Sequence, residues 1–271
     1  MLNIPRPAPF ILVSSNHGTL IVSRNDYHMV DAERGYGVGF QILNRSGFDQ
    51  EEVQFALTLL QSRRANYGDG VVAVDCGANI GVHTVEWARL MFGWGKVLSF
   101  EAQEKIFYAL AGNVAINNCL NVTARLAAVG AERGTMGIPE PNYLLPASYG
   151  SFELRGGDKT EYIGQKIDYS KKDQVIDVVS IDSLELPRLD FMKIDVERME
   201  LEVLEGARKS IARLKPQMII EVVKSDREKI LDRLGKAGYK VYPAGMNVIA
   251  IHQSDPANSR IREENGVLLF A

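Results

Sequence analysis

Asp75, Gly77, Asn79 and Gly81 stand at alternate positions in "VVAVDCGANIGVHT", between a short apolar run and a helical pattern. An acid closing a strand, glycines that let the backbone turn sharply, and a helix start behind them suit a loop that takes a ligand against its main chain. N–H groups at the helix start, residues 82–85, favour a ligand carboxylate. Asp75 can accept from an ammonium group or order a water there. Spacing then separates the candidate ligands. A dinucleotide fingerprint needs glycine at the first, third and sixth positions; counted from Gly77, the third is Asn79 and the sixth Val82. A P-loop needs Gly-Lys-Ser/Thr, and here "GVHT" follows.

The remaining option needs close backbone approach without a pyrophosphate. Asp75-x-Gly77-x-Asn79-x-Gly81, with Ala78 between, is similar to the acid-x-Gly-x-Gly-x-Gly loop of class I S-adenosylmethionine-dependent methyltransferases, with asparagine at the middle glycine. Glu101 ends the next strand, where an acid can accept from both ribose hydroxyls of a nucleoside. Ala127, Ala128 and Val129 end the third strand and can supply an apolar wall for adenine. Three further acids close later strands: Asp195, Glu197 two residues on, and Glu221. All three are expected on the methyl side of the cleft, with Asp195 or Glu221 as general base for an alcohol and Glu197 in support. Three gathered oxygens can also hold magnesium, whereas no His/Cys spacing suits zinc.

The elements that must position these residues read as one α/β unit. "VVAVD" is an apolar strand of the kind buried on both faces. A helix over 82–92, a strand over 96–102, a helix over 104–117 and a strand over 121–129 follow. "LDFMKID" is strand four, "LEVLEGARKSIARL" a helix with one apolar face, and "QMIIEVV" strand five. Ser225 and Glu228 read as a capping box for the next helix. "YKVYPA" and "NVIAIH" face each other across Gly245–Met246 as an antiparallel hairpin. Between strands three and four, "GSFEL" against "QVIDVVSI" reads as an inserted β-hairpin. Upstream, Asp49 reads as the cap of a helix, with Glu52 reciprocating and Phe48 stapled onto Val53. His83 reads as a partly exposed helix residue or a ligand contact, "RNDY" as a surface turn or a lid over the cleft, and "GYGVG" as a flexible loop. The expected division is an N-terminal extension 1–66, a catalytic domain 67–255 with an insertion at 134–180, and a tail 256–271.

Composition sets outer limits. Of 271 residues, 46% are hydrophobic and 24% charged, which is ordinary for a globular protein. A net charge of −3 gives no global attraction to nucleic acid or anionic membrane. No apolar run approaches the roughly 20 residues of a membrane span, and "PFILV" is too short for a signal-peptide core. Two cysteines far apart in sequence fit reduced thiols in a cytoplasmic protein.

Taken together, "VDCGANIGVHT", "SFEA", "SIDSL", "FMKIDVERMELEVLEGA", "PQMIIEV" and "GYKVY" resemble the FkbM family of methyltransferases over about residues 18–252. The resemblance implies a Rossmann-like, doubly wound, mostly parallel seven-stranded sheet. It also implies methyl transfer from S-adenosylmethionine, usually to an oxygen of a small molecule or glycan. Arg198 stands where the family usually has glycine, and Leu126 where a polar residue is common. Arg198 would fill substrate space or pair with a substrate anion. The competing readings are an NAD-dependent oxidoreductase or epimerase, which the loop spacing and the lack of a Tyr-x-x-x-Lys pair in a helix following a strand disfavour, and a cofactor-binding module without chemistry.

Overall fold

The computed structural model describes residues 6–264 and 267–270; the other residues of the expected extension and tail lie outside it. Seven strands form the central sheet: β1 (Val71–Cys76), β2 (Gly95–Glu101), β3 (Val122–Leu126), β4 (Phe191–Ile194), β5 (Gln217–Glu221), β6 (Tyr239–Ala244) and β7 (Asn247–His252). Their order across the sheet is β3-β2-β1-β4-β5-β7-β6. Strands β1 to β5 pair in parallel, and β7 enters antiparallel between β5 and β6. The expected doubly wound sheet with a terminal hairpin is therefore present. Its strand order reverses between β1 and β4, so the loops leaving those two strands open the crevice where such sheets bind ligands.

The described residues form seven α-helices: α1 (Val38–Arg45), α2 (Gln50–Tyr67), α3 (Val82–Leu90), α4 (Glu104–Ile116), α5 (Glu200–Gly206), α6 (Arg208–Leu214) and α7 (Arg227–Lys236). Every residue of β1 is buried, as a strand covered on both faces requires. On one face Trp87 of α3 meets Phe191 of β4 edge to face, with ring centroids 5.1 Å apart. Helix α2 runs the length of the sheet. Near its C-terminal end, buried Arg63 reaches Asp190 at 3.2 Å and Asp255 at 2.8 Å, and Asp190 also accepts from the Val72 N–H. At its other end Asp49 and Glu52 stand at the crevice.

Several local expectations change. Asp49 does not cap α2: its φ is +37° and its side chain makes no capping bond. The α7 cap is Asp226, whose carboxylate accepts from the Lys229 N–H, while Ser225 bonds Glu200 instead. The long helix after β4 breaks at Ala207 into α5 and α6. "GYGVG" is no loose loop, because Gly35–Tyr36 pairs with His28–Met29 and α1 begins at Val38. "RNDY" is not a plain surface turn either, since buried Asp26 accepts from the N–H groups of Gly39 and Tyr149 and so ties the extension to the insertion. The third strand stops at Leu126, and Ala128–Val129 joins a separate sheet. The inserted hairpin pairs Gly134–Ile138 with Gln174–Val179, and "GSFEL" instead starts in a 3₁₀ turn, Tyr149–Ser151.

Candidate active site

One cleft of about 440 Å³, within the size range of small-molecule sites, opens at the carboxyl ends of β1, β2, β4 and β5. Its floor is the glycine loop. Gly77 has φ +83°, and a Cβ there would lie 1.8 Å from the Asp195 carbonyl oxygen. Only glycine lets the β1 and β4 loops approach this closely. Asn79 takes a left-handed φ of +50°, which asparagine tolerates, and its own Oδ1 accepts from the Ile80 N–H at 2.7 Å. Ala78 and Asn79 line the cleft. Gly81 does not: at φ +90° it caps α3, and a Cβ would meet Leu110 Cδ1 at 2.5 Å. Its role is to seat α3 on α4.

Asp75 and Glu101 are both buried lining residues. Asp75 Oδ2 accepts from Thr84 Oγ1 at 2.6 Å, which orients the carboxylate and leaves its other oxygen for a ligand. Glu101 accepts from the Asn79 N–H at 2.9 Å and from the Gln103 N–H at 2.7 Å, one on each oxygen. A carboxylate has about four lone-pair sites, so each oxygen keeps one for a ribose hydroxyl. Burial pushes Glu101 up to about 7 despite these N–H donors. Ala127, Ala128 and Val129 line the wall beyond Glu101, joined by Phe152, Leu154 and Met199. Phe152 and Leu154 of the insertion thus help to form an apolar slot suited to a flat base.

The three strand-end acids converge. Oxygens of Asp195, Glu197 and Glu221 all lie within 4.8 Å of one another. Two lysines absent from the reading of the sequence, the buried Lys193 and the partly buried Lys224, serve them. Lys193 Nζ is 2.6 Å from Asp195 Oδ2 and 3.7 Å from Glu52 Oε1. Lys224 Nζ is 2.6 Å from Glu197 Oε2 and 2.6 Å from Glu161 Oε2, and it also donates to the Ser151 carbonyl. Burial opposes both ammonium charges, yet the surrounding carboxylates hold both well above the ordinary lysine range. Glu197 is raised to about 8 by burial and then by Asp195, and Glu221 to about 9 by burial and then by Asp195 and Glu197. With an ammonium on Asp195 and another on Glu197, the cluster is already partly neutralised and does not suit the magnesium ion considered from sequence.

The N-terminal elements complete the acceptor side. Glu52 accepts from Asn247 of β7 and meets His83 Nε2 at 3.1 Å. Burial works against its charge, but Lys193 and His83 pull it down to about 2. His83 is therefore buried and engaged, contrary to its reading as a partly exposed residue. Tyr36 lines the cleft and donates to Glu161 Oε1 at 2.7 Å. A lysine inside the apolar run "FMKID" was the available signal for Lys193, since a buried ammonium needs carboxylate partners. Nothing local marks Lys224 or Tyr36, whose shared partner, Glu161, comes from the insertion.

Arg198 does not enter the cleft. Its Nε lies 3.2 Å from Glu153 Oε1, and it donates to the Lys159 carbonyl, so it clasps the insertion from outside. Glu197 and Arg198 take consecutive left-handed conformations, φ +50° and +77°. Arg198→Gly should relieve about 1 kcal/mol of that strain. It also removes the cation facing Glu153, which is 1% exposed. The larger penalty for orphaning a buried charge predicts a net loss of about 1–2 kcal/mol. Thermal unfolding checks it: a rise in Tm would mean that strain outweighs the ion pair.

The methyltransferase FkbM domain model matches residues 75–241, more than half of the chain. A methyltransferase of Sordaria araneosa, sdnD, is 29% identical over 58% of this chain and 68% of its own length. Methyltransferase 1 of Beauveria bassiana is 26% identical over 52% of this chain and 60% of its own. The crystal structure of an FkbM methyltransferase from Methylobacillus flagellatus overlaps 79% of this chain and 54% of that one, at 17% identity and a TM-score of 0.47. The glycine loop, the strand order and the matched span together place this chain in the FkbM family of S-adenosylmethionine-dependent methyltransferases.

Proposed function

We propose that the cleft carries out O-methyl transfer from S-adenosylmethionine to a hydroxyl of a small molecule or sugar. The observation that carries this reading is the acid cluster Asp195–Glu197–Glu221, open to the same cleft as the glycine loop and Glu101. Bound S-adenosylmethionine supplies a methyl group already activated on a sulfonium. The chain must hold an acceptor oxygen in line with it, where orientation contributes roughly 7–11 kcal/mol, and take the hydroxyl proton, worth about 10²–10⁴-fold. Gly77, Ala78 and Asn79 position the amino-acid end, Glu101 the ribose, and Ala128 the base. Glu221 takes the proton, because among the described residues it is the member of the cluster without an ammonium partner, while Asp195 on Lys193 and Glu197 on Lys224 orient the acceptor.

The acceptor side presents Asp49, Glu52, Glu161 and Glu197 beside two lysines. Such a wall repels a phosphate backbone, which favours a small acceptor over nucleic acid. Cys76 and Cys119 are free and buried, and the proposal places the enzyme in a reducing, cytoplasmic setting. No helix among the described residues is long and apolar enough to cross a membrane.

The test is transfer of labelled methyl from S-adenosylmethionine across a panel of polyols, amino sugars and phenols. With any acceptor found, Glu221→Gln should lower turnover by about 10²–10⁴-fold and leave S-adenosylhomocysteine affinity near wild type. Wild-type turnover in that variant would move the base elsewhere.

A further inference from the structure

The acid cluster has three carboxylates but only two lysines. Lys193 sits on Asp195 and Lys224 on Glu197, each at 2.6 Å. Among the described residues no cation lies within ion-pair distance of Glu221, although its oxygen is within 4.8 Å of both other acids. Carboxylates this close cannot all ionise together, and one keeps a proton. The groups around them add more negative charge than positive. Helix α2 brings Glu52, which already draws on Lys193 and on His83 of α3. Strand β1 brings Asp75, helix α5 brings Glu200, and the insertion brings Glu161, which shares Lys224. Asp195 also adjoins the cofactor loop, since its N–H donates to the Cys76 carbonyl and its own carbonyl stands against Gly77.

We propose that Glu221 is the proton-holding member of this cluster in the empty site, and that it releases the proton to solvent when a cationic cofactor enters beside Asp195. This rests on the cofactor reading given above. S-adenosylmethionine carries one more positive charge than S-adenosylhomocysteine, so only the substrate form can replace the proton. Burial and repulsion from Asp195 and Glu197 raise Glu221 to about 9, which keeps it protonated in the empty site at neutral pH. The cycle balances. Glu221 loses a proton to water on cofactor entry. It then accepts the acceptor's hydroxyl proton as the oxygen–methyl bond forms and the sulfur–methyl bond breaks. Departure of neutral S-adenosylhomocysteine leaves it protonated again, so one proton is released per methyl transferred.

The same balance fixes the sign of the pH dependence. The empty site binds more protons than the loaded one. Affinity for S-adenosylmethionine therefore rises with pH up to about 9, by at most tenfold per unit, relative to S-adenosylhomocysteine.

Calorimetric titration in buffers of different ionisation enthalpy reads the proton count without any acceptor. At pH 7 the cofactor's own amino group stays mostly charged. S-adenosylmethionine should then release about one proton more than S-adenosylhomocysteine, and sinefungin, which carries an amine in place of the sulfonium, should side with S-adenosylmethionine. The difference should vanish in Glu221→Gln and persist in Glu197→Gln. Equal proton counts for the ligands in the wild-type protein would overturn the proposal, as would loss of the difference in Glu197→Gln alone. Failure of all three ligands to bind would instead sink the cofactor reading on which it stands.

Discussion

Gly77→Ala is expected to destabilise the protein by about 3–5 kcal/mol and to abolish cofactor binding. Two costs add. The left-handed φ of +83° is worth about 1–2 kcal/mol against a residue with a Cβ. The new methyl would also lie 1.8 Å from the backbone oxygen of Asp195, where no flexible side chain can yield. The β1 and β4 loops must separate, and Asp195 would then leave Lys193. For a chain of this size Tm should fall by roughly 6–15 °C. Gly93 supplies the control, with a similar φ of +81° and open space around it. Gly93→Ala should show the conformational cost alone, a drop of roughly 2–6 °C. Equal drops in the two variants would mean that the loops are not in close contact.

Glu101→Ala should weaken S-adenosylhomocysteine binding by about 10²–10⁴-fold. It removes two hydrogen bonds from a buried carboxylate, each worth roughly 1.5–3 kcal/mol. It also strips the partners from the N–H groups of Asn79 and Gln103, so the loop itself loosens. Glu101→Gln keeps one acceptor and should lie between. The pH dependence has a definite sign. In the empty site Glu101 is raised to about 7 by burial, and two hydroxyl donors favour its ionised form. Affinity should therefore fall as pH drops below about 7 and level off above it, in wild type but not in Glu101→Gln. Isothermal titration across that range is the measurement, and a flat profile would show that Glu101 does not hold the ribose.

The parts of this site legible from sequence were those with local signatures. An apolar strand ending on Asp75, glycines at fixed spacing and an acid closing the next strand mark the cofactor half, because strand ends, tight turns and helix starts each demand particular residue types. Asp195, Glu197 and Glu221 could be placed together because parallel strands bring their carboxyl ends to one edge. Asp49 and Glu52 misled for an instructive reason. Their spacing satisfies a capping box, but their carboxylates face the cleft and make no capping bond to α2. The insertion was misread because strand partners separated by some 40 residues leave no short-range mark, and the polar–apolar alternation of "SFEL" imitates a strand. Tyr36, Glu161 and Lys224 belong to three distant segments that only the folded chain unites.

The most direct test of the central claim, that this cleft binds S-adenosylmethionine through the glycine loop and Glu101, is calorimetric titration of the full chain with S-adenosylhomocysteine, with NAD as the parallel ligand. Saturable one-to-one binding of S-adenosylhomocysteine, no heat from NAD, and a marked loss of affinity in Glu101→Ala are predicted. Binding of NAD alone, or wild-type affinity for S-adenosylhomocysteine in Glu101→Ala, would contradict it.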